Sequence, residues 1–426
     1  MTGTCTFEVS SNRSSALAAA ALVLGVLATP RTVNAEASSP VLQLSSSDGD
    51  SSIRFQLAAQ IRWEFDNTDR GPDRPAEQEN SIFFRRLRAV ISGSLVSEDF
   101  TYKLHFNLVP GALELIDLWI DYRFHRHIAV RLGQDKIPFT RYRLGSFSTR
   151  PVLEWSTPTR YFGAERQIGV MVHNGVGRPP RFEYQLGIAT GVNARASNGV
   201  AMPLVFGAER PNPSDLTDPS APSSFHPELI VHVAYNHADI DTKTPQDFDG
   251  GPPRFSVGLS AAWDVRPEPR QDLTLRVAPE VVLKVRGFTL WTVFYLGFWD
   301  EVSGTEQLGL GLLGGVAQAS FVFLDRYEVG LRYTNVSILR AMRADARRDA
   351  DGRIDEAEDD ASREALAQQL SSVGLVRAEH EVTVGFSVYL FGRSLKLGVD
   401  GGPIIHQRTD QDRIDALVRL QAQLTF

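Results

Sequence analysis

Arginines and lysines recur at alternate positions in several segments of the first third of the chain. They share one parity within these segments: Arg54, Arg62, Arg86, Arg88, Lys103, Arg123 and Arg131. Basic side chains bind anions, and a planar guanidinium can donate two hydrogen bonds at once to a phosphate or a carboxylate. Such an array can guide anions if the elements that carry it turn this parity toward water.

The segments that carry these residues have the period of a β-strand. From residue 53 to residue 65 every second side chain is apolar, which is typical of a strand with two different faces. A tilted transmembrane strand needs about 9–11 residues, whereas most globular strands are shorter. We therefore predict an all-β fold, a transmembrane antiparallel β-barrel of about 16 strands over residues 53–426. The strands are expected to start near residues 53, 81, 100, 114, 127, 168, 182, 229, 254, 273, 288, 309, 327, 380, 395 and 414.

The cost of placing charge in lipid decides which parity faces inward. An arginine or lysine that faces lipid at mid-bilayer costs roughly 2–4 kcal/mol, and seven of them would exceed the net stability of about 5–15 kcal/mol of a typical domain. The basic parity should therefore face an aqueous lumen and the apolar parity the outer-membrane lipid. A secreted β-rich binding protein, with the apolar parity in its core, is the alternative. Terminal Phe426 favours the barrel, because a C-terminal aromatic residue suits recognition by the outer-membrane assembly machinery.

The N-terminal segment and the composition set further limits. Residues 1–35 read as a cleaved signal peptide, with Arg13 before an apolar run and small residues at Val33 and Ala35. Residues 36–52 form a polar lead-in. The single cysteine, Cys5, lies in the signal, so the mature chain would have no thiol for a disulfide or a metal. The net charge of −7 argues against nucleic acid as a partner. We predict location in the bacterial outer membrane and no cofactor.

Several short stretches resemble the phosphate-selective porin O/P family: FRRLR at residues 84–88, DLWIDY at 117–122, GQDKIPF at 133–139 and EVGLRY at 328–333. The resemblance implies a homotrimeric outer-membrane porin of 16 strands whose third external loop folds into the lumen. It also implies passage of small anions along inner-wall arginines and lysines.

The segment 135–167 stands where the family has its constriction loop. It combines the acids Asp135, Glu154 and Glu165 with six basic residues: Lys136, Arg141, Arg143, Arg150, Arg160 and Arg166. Because a pore selects by the charges at its constriction, we predict an anion channel, with phosphate or polyphosphate among its solutes. The alternative is that these arginines pair with wall acids such as Glu64, Asp117 and Asp121.

The later strands are of mixed charge and depart from the lysine cluster of the family's phosphate channels. They set Arg276, Lys284, Arg332, Lys396 and Arg419 beside Glu280, Glu328, Glu381 and Asp400. A general, weakly selective porin is therefore the alternative function.

Two other interpretations concern a metal and an enzyme. Residues 349–358 resemble most of an EF-hand calcium loop, with Asp349, Asp351, Asp355 and Glu358 as ligands. Arg347 stands where the first aspartate belongs, so a solvated acidic loop is the simpler interpretation and we predict no metal. An outer-membrane hydrolase would need a serine–histidine pair, and none stands out in the sequence. We therefore predict a channel and no enzyme.

Overall fold

The computed structural model describes residues 42–109, 112–163, 166–175, 179–190, 227–241, 244–265, 274–300, 308–340, 343–344, 376–409 and 411–426. These residues are almost all strand. The strands are β1 (Leu42–Ser45), β2 (Ser52–Thr68), β3 (Glu77–Leu95), β4 (Ser97–Val109), β5 (Ala112–His125), β6 (Ile128–Lys136), β7 (Arg166–His173), β8 (Phe182–Ala189), β9 (Glu228–His237), β10 (Arg254–Asp264), β11 (Leu275–Val285), β12 (Phe288–Asp300), β13 (Leu308–Phe323), β14 (Tyr327–Ile338), β15 (Val376–Tyr389), β16 (Leu395–Arg408) and β17 (Arg413–Thr425).

Strands β2 to β17 form one closed antiparallel barrel of 16 strands. Each strand pairs with the next along the chain, and β17 returns to pair with β2, with Arg419 opposite Glu64. The predicted fold is confirmed, and every barrel strand starts within four residues of the predicted position. The strand β1 was not predicted. It pairs with the start of β2, from Leu42 opposite Phe55 to Ser45 opposite Ser52, inside the segment expected to be a lead-in.

The two faces of the barrel have inverted polarity relative to a soluble protein. Phe84 is 61% exposed on the outside, whereas Arg86 is 6% exposed on the inside. The same contrast holds on β5, where Leu118 is exposed and Asp117 is buried. An apolar outer face with a polar interior is the arrangement of a transmembrane barrel. The alternative of a secreted protein with a buried apolar core was wrong.

Most connections at the end of the barrel that carries Phe426 are tight turns. Arg286 and Gly287, between β11 and β12, have φ angles of 47° and 87°, as a two-residue hairpin of type I′ requires. A Cβ on Gly287 would meet the carbonyl oxygen of Val322 at 2.6 Å, so the position also needs a glycine for space. One connection at this end is long: residues 238–253, between β9 and β10, called below the β9–β10 turn.

A second long segment, residues 137–163 between β6 and β7, lies against inward-facing side chains of the wall and is called below the inner loop. It contains the helices α1 (Arg141–Leu144) and α2 (Thr157–Phe162) and a 3₁₀ turn at Phe147–Thr149. Its apolar residues pack on the wall: the ring of Phe162 stacks on Tyr295 with centroids 5.1 Å apart. A Cβ at Gly314 would meet the Phe162 ring at 2.6 Å, which accounts for the glycine on β13. Within the described ranges, no helix has the length and apolarity to cross a membrane.

Candidate pore and its charged lining

A cavity of about 490 Å³ separates the inner loop from one side of the barrel wall. Its wall residues come from β2 to β8 and the end of β17, and its other side is the stretch from Arg141 to Ser148 of the inner loop. Three carboxylates line it, from Asp117, Asp135 and Glu183. Twice as many cationic groups do so: Arg88, Lys103, Arg131, Lys136, Arg141 and Arg166. The lining therefore carries an excess of positive charge.

Asp117 on β5 is the acid around which one part of the lining is organised. Its buried carboxylate accepts from Lys103 Nζ at 2.9 Å, lies 2.7 Å from His105 Nδ1, and pairs with Arg166. Lys103 and His105 of β4 lie beside Asp117 of β5, with His105 directly opposite Asp117, and Arg166 reaches the same carboxylate from β7. Two cations share one carboxylate, so this cluster keeps a positive surplus toward the cavity.

Arg131 on β6 holds a second cluster. Its guanidinium donates to Asp121 at 2.9 Å and to Asp135 at 2.6 Å. The same group stands 4.1 Å from the centre of the Trp119 ring, a cation–π distance. His173 Nε2 lies 2.9 Å from the Asp121 carboxylate. This cation is fixed from three sides, and its charge is matched by two acids.

Arg88 on β3 differs from the other cations of the lining. It is 9% exposed and forms no ion pair with any residue that the structure describes; Lys136 has no ion pair there either, but its Nζ donates to carbonyl oxygens. Its guanidinium lies 4.9 Å from the centre of the Phe147 ring, and its buried Nε has no hydrogen-bond partner. The charged groups around it are the cations Arg86, Arg166 and Arg143 and the acid Asp117. Arg88 is thus a buried cation, turned to the cavity, with spare capacity to donate hydrogen bonds.

Residues 55–207 match the family described as phosphate-selective porin O and P. This match covers about a third of the chain and, together with the closed barrel, supports the resemblance seen in the sequence. The chain is an outer-membrane porin. Its location in the bacterial outer membrane follows from the same two observations.

The porin's fold is also that of solved outer-membrane structures with little sequence identity. The outer membrane channel DcaP of Acinetobacter baumannii has a TM-score of 0.54 and 11% identity, covering 90% of this chain and 99% of that one. An anion-selective porin from Comamonas acidovorans has a TM-score of 0.54 and 12% identity, covering 88% and 100%. OprB of Pseudomonas putida, in its high-pH structure, has a TM-score of 0.51 and 11% identity, covering 87% and 94%. These identities show the fold alone. No curated protein matches the sequence significantly.

Two of the predicted lining arginines of this porin, Arg62 and Arg86, form ion pairs with the inner loop. The carboxylate of Glu154 accepts from Arg62 at 2.9 Å, Arg86 at 2.9 Å and Arg85 at 2.8 Å. Neither Arg62 nor Arg86 reaches the cavity, so the alternative of pairing within the barrel holds for both. Their partner is an inner-loop acid, where a wall acid had been named, although Arg62 also lies 3.5 Å from Glu64.

Arg85 was missed because a β-bulge breaks the parity of β3. Gln60 lies opposite Arg86 and Ile61 lies opposite Phe84, which leaves Arg85 as the extra residue. A bulge places two consecutive side chains where the alternation allows one. No signal in the sequence marks this position, since Arg85 follows two phenylalanines and precedes another arginine.

The other predicted lining residues of the porin fall into two groups. Arg54 and Arg123 lie near the Phe426 end, outside the cavity: Arg54 is exposed and donates to Gln43 of β1 at 3.2 Å, and Arg123 pairs with the half-exposed Asp99. Their inward parity was right, but parity does not give depth along the strand. In the inner loop, Arg141 reaches the cavity and pairs with Glu183 at 2.7 Å.

Arg143 and Arg150 are buried in the inner loop of the porin and lie over the Trp155 ring, Arg143 at 4.3 Å from its centre. Neither lines the cavity. Lys136 lines it and points its Nζ at three carbonyl oxygens of α1 and its cap, from Arg143 to Gly145, at 3.3–3.5 Å. The side chain of Arg160, Glu165, the calcium candidate at residues 349–358 and the predicted signal at 1–35 lie outside the described residues.

The strands β10 to β17 of the porin also carry buried charges, some of which pair within these strands. Arg419 donates to both oxygens of Asp400 at 2.7 and 2.9 Å. Arg332 pairs with Glu381 at 2.6 Å and donates to the Glu154 carbonyl oxygen. Other partners come from outside these strands: Arg276 pairs with Glu228 of β9, and Lys396 donates to the Arg150 carbonyl oxygen. None of these residues lines the cavity.

The described residues contain a serine–histidine pair that sequence reasoning did not find. Ser260 Oγ lies 2.8 Å from His232 Nδ1 across the β9–β10 ladder, and both side chains are fully buried. A lipid ester has no path to a pair enclosed in this way. The described residues include no group of three or more metal-ligating side chains of the kind that holds an ion.

Proposed function

We propose that this porin passes small anions through the cavity between the inner loop and β2–β8. The observation that carries the proposal is the charge of the lining, six cationic groups against three carboxylates. In a narrow aqueous space bounded by protein, the field of such an excess raises the local concentration of anions and lowers that of cations.

Arg88 is the group that supports a preference for oxyanions within this proposal. Because it has no carboxylate partner among the described residues, its planar fork is open to a carboxylate or a phosphate oxygen. Arg166 and Lys103, which both pair with Asp117, belong to the same lining. Phosphate and polyphosphate are among the solutes that such a group can bind, as the family resemblance implies.

A general, weakly selective porin is the second candidate function. It is favoured by the pairing of most lining cations: Arg131 with Asp121 and Asp135, and Arg141 with Glu183. If these pairs neutralise the lining, the remaining field is weak. The two candidates predict different ion selectivity for the same open pore.

The experiment is the zero-current potential of the purified porin in a planar bilayer that separates two KCl concentrations. An anion channel gives the sign of chloride permeation, and the preference weakens at high salt, because the Debye length falls from about 10 Å at 0.1 M to about 3 Å at 1 M. Added phosphate should lower the chloride current by occupying the site at Arg88. A preference for potassium would overturn anion passage, and a small anion preference with no phosphate block would favour the general porin.

We also propose the assembly that the family resemblance implies. The mature chain begins at Glu36 after removal of the signal and forms a homotrimer, with Phe426 presented to the assembly machinery. In the folded barrel the backbone of Phe426 is already paired with Leu57 of β2. N-terminal sequencing of the outer-membrane form tests the first point, and the mass of the unheated complex tests the second.

A further inference from the structure

The β9–β10 turn is unlike the other connections at the Phe426 end. The neighbouring ones are short, such as residues 286–287 and 324–326, and stay on the rim of the barrel. This turn runs from residue 238 to residue 253, and among its described residues, 238–241 and 244–253, the side chains of Ile240, Gln246 and Asp247 are buried. A polar turn at a membrane surface has no need to bury such groups, so its path into the lumen requires an explanation.

From β10 the described part of the turn reaches into the lumen as far as β14 and β15, four and five strands further round the barrel. Gln246 Nε2 donates to Glu328 Oε2 on β14 at 3.2 Å and to the Tyr389 hydroxyl of β15 at 3.1 Å. The ring of Phe248 meets the edge of Tyr389 with centroids 5.2 Å apart, and the guanidinium of Arg393 lies 4.8 Å from the Phe248 ring centre. The described part of the turn is thus fastened at its far end to β14, β15 and the turn after β15.

Lys284 on β11 fastens the near end. Its Nζ donates to the carbonyl oxygens of Asp241 and Thr244 at 2.6 Å each and of Gln246 at 2.9 Å. An ammonium has three donors, so its hydrogen-bonding capacity is filled by backbone of the turn. Asp247 completes the anchor, since it pairs with Arg254 and accepts from the Gly287 amide at 2.9 Å.

The turn and the cavity occupy complementary parts of the lumen. The cavity reaches the Phe426 end on the β2–β8 side, where Gly175 and Pro179 of the β7–β8 turn line it. No residue of the β9–β10 turn or of β9–β16 is part of its lining. At the Phe426 end of the barrel, the cavity occupies the β2–β8 side of the lumen and the β9–β10 turn occupies the other side.

We propose that the β9–β10 turn is a fixed stopper that closes the β10–β16 side of the lumen at the Phe426 end, and that Lys284 is the residue that positions it. The stopper directs solutes to the cationic β2–β8 wall and keeps them from the mixed charges opposite. The proposal rests on the porin function, and it does not depend on which ions the pore prefers.

Removal of the Lys284 ammonium tests the stopper. In Lys284→Met, three buried carbonyl oxygens lose their donor, and a buried polar group without a partner is costly. The turn should then leave its position, and single-channel conductance should rise above that of the wild type, because the aqueous cross-section at the Phe426 end becomes larger. Polyethylene glycols applied from the Phe426 end should enter at larger sizes than in the wild type. Exclusion from the opposite end, where the inner loop is intact, should be unchanged.

Two further variants separate positioning from general damage. Phe248→Ala cuts the far attachment without touching a buried charge, and it should raise the conductance in the same direction by a smaller factor. Arg276→Met removes a buried cation from the same strand that does not touch the turn, and it should leave the polymer cut-off at the Phe426 end unchanged. Heat-modifiable migration on gels verifies that each barrel is folded.

Folded Lys284→Met and Phe248→Ala channels that retain the wild-type conductance and polymer cut-off would overturn the stopper. Potassium selectivity in the wild type would overturn anion passage and leave the conductance test of the stopper intact, so the two failures can be told apart.

Discussion

Arg86 and Arg88 stand two residues apart on the same face of β3, yet they belong to different regions of the lumen. Arg86 shares Glu154 with two other arginines and is sealed under the inner loop. Arg88 faces the cavity and has no ion-pair partner among the described residues. The alternation of β3 places both side chains on the inner face of the barrel wall. The difference comes from the inner loop that packs on them: its Glu154 carboxylate pairs with Arg86 and not with Arg88, whereas its Phe147 ring lies near both guanidinium groups, at 5.6 and 4.9 Å.

The same contrast separates the two sides of the barrel. The β2–β8 side keeps a positive surplus beside an open space, while on β10–β17 pairs such as Arg419 with Asp400 satisfy the buried charges. Buried ion pairs hold the structure together because breaking one leaves an uncompensated charge. An unpaired cation contributes little to stability and is available to a solute. Structural and conducting arginines should therefore respond to mutation in opposite ways.

The largest effect is expected for Glu154→Gln. It leaves Arg62, Arg85 and Arg86 buried without their shared carboxylate, and losing one partner of a buried pair costs about 3–5 kcal/mol. The free energy of unfolding in detergent or lipid, measured with urea, should fall by that order. Glu64→Gln is the matched control, because Glu64 is more exposed and lies 3.5 Å from the same Arg62. Its effect should stay below about 1 kcal/mol, and equal losses in the two variants would contradict the assignment.

Arg88→Gln should weaken the phosphate block and leave the free energy of unfolding almost unchanged. It removes a cation that is repelled by Arg86 and Arg166 and loses a stacking contact with Phe147. Since such a contact contributes about 0.5–2 kcal/mol, and relief of repulsion offsets it, the urea midpoint should change little. The phosphate block of chloride current should weaken markedly. A large loss of stability with unchanged block would show that Arg88 is structural and would remove the distinction between the two arginines.

The smallest effect is expected for Arg123→Gln. Arg123 and Asp99 are both partly exposed near the Phe426 end, outside the cavity. An exposed pair contributes less than about 1 kcal/mol, so the urea midpoint, the conductance and the zero-current potential should all stay close to the wild type. A clear change in selectivity would mean that the basic parity conducts along its whole length, including its ends.

The barrel could be predicted from the sequence because strand alternation is a local pattern. Every second side chain of β2 lies on the same face of the strand, and the charged side chains show which face is in contact with water. The partners could not be predicted in the same way. Glu154 lies 92 positions from Arg62, so no local spacing joins them, and the bulge that brings in Arg85 leaves no mark in composition. Arg54 and Arg123 show the same limit along the strand axis.

The β9–β10 turn illustrates a partial success. The predicted strand starts at residues 229 and 254 leave room for a long connection between these two strands, but nothing local shows where it goes. Its seat depends on Lys284 and Tyr389, which come from strands far along the chain. The length of the connection could be predicted from the sequence, whereas its position in the lumen depends on contacts that form only in the assembled barrel.

The zero-current potential of the Arg88 series tests the central claim most directly. In a KCl gradient the wild type should favour chloride, Arg88→Gln should favour it less, and Arg88→Glu should shift further toward potassium. Arg123→Glu carries the same change of charge outside the cavity and should keep the wild-type potential. If the Arg88 variants give the same potential as the wild type while their barrels remain folded, the β2–β8 cavity is not the path that selects ions.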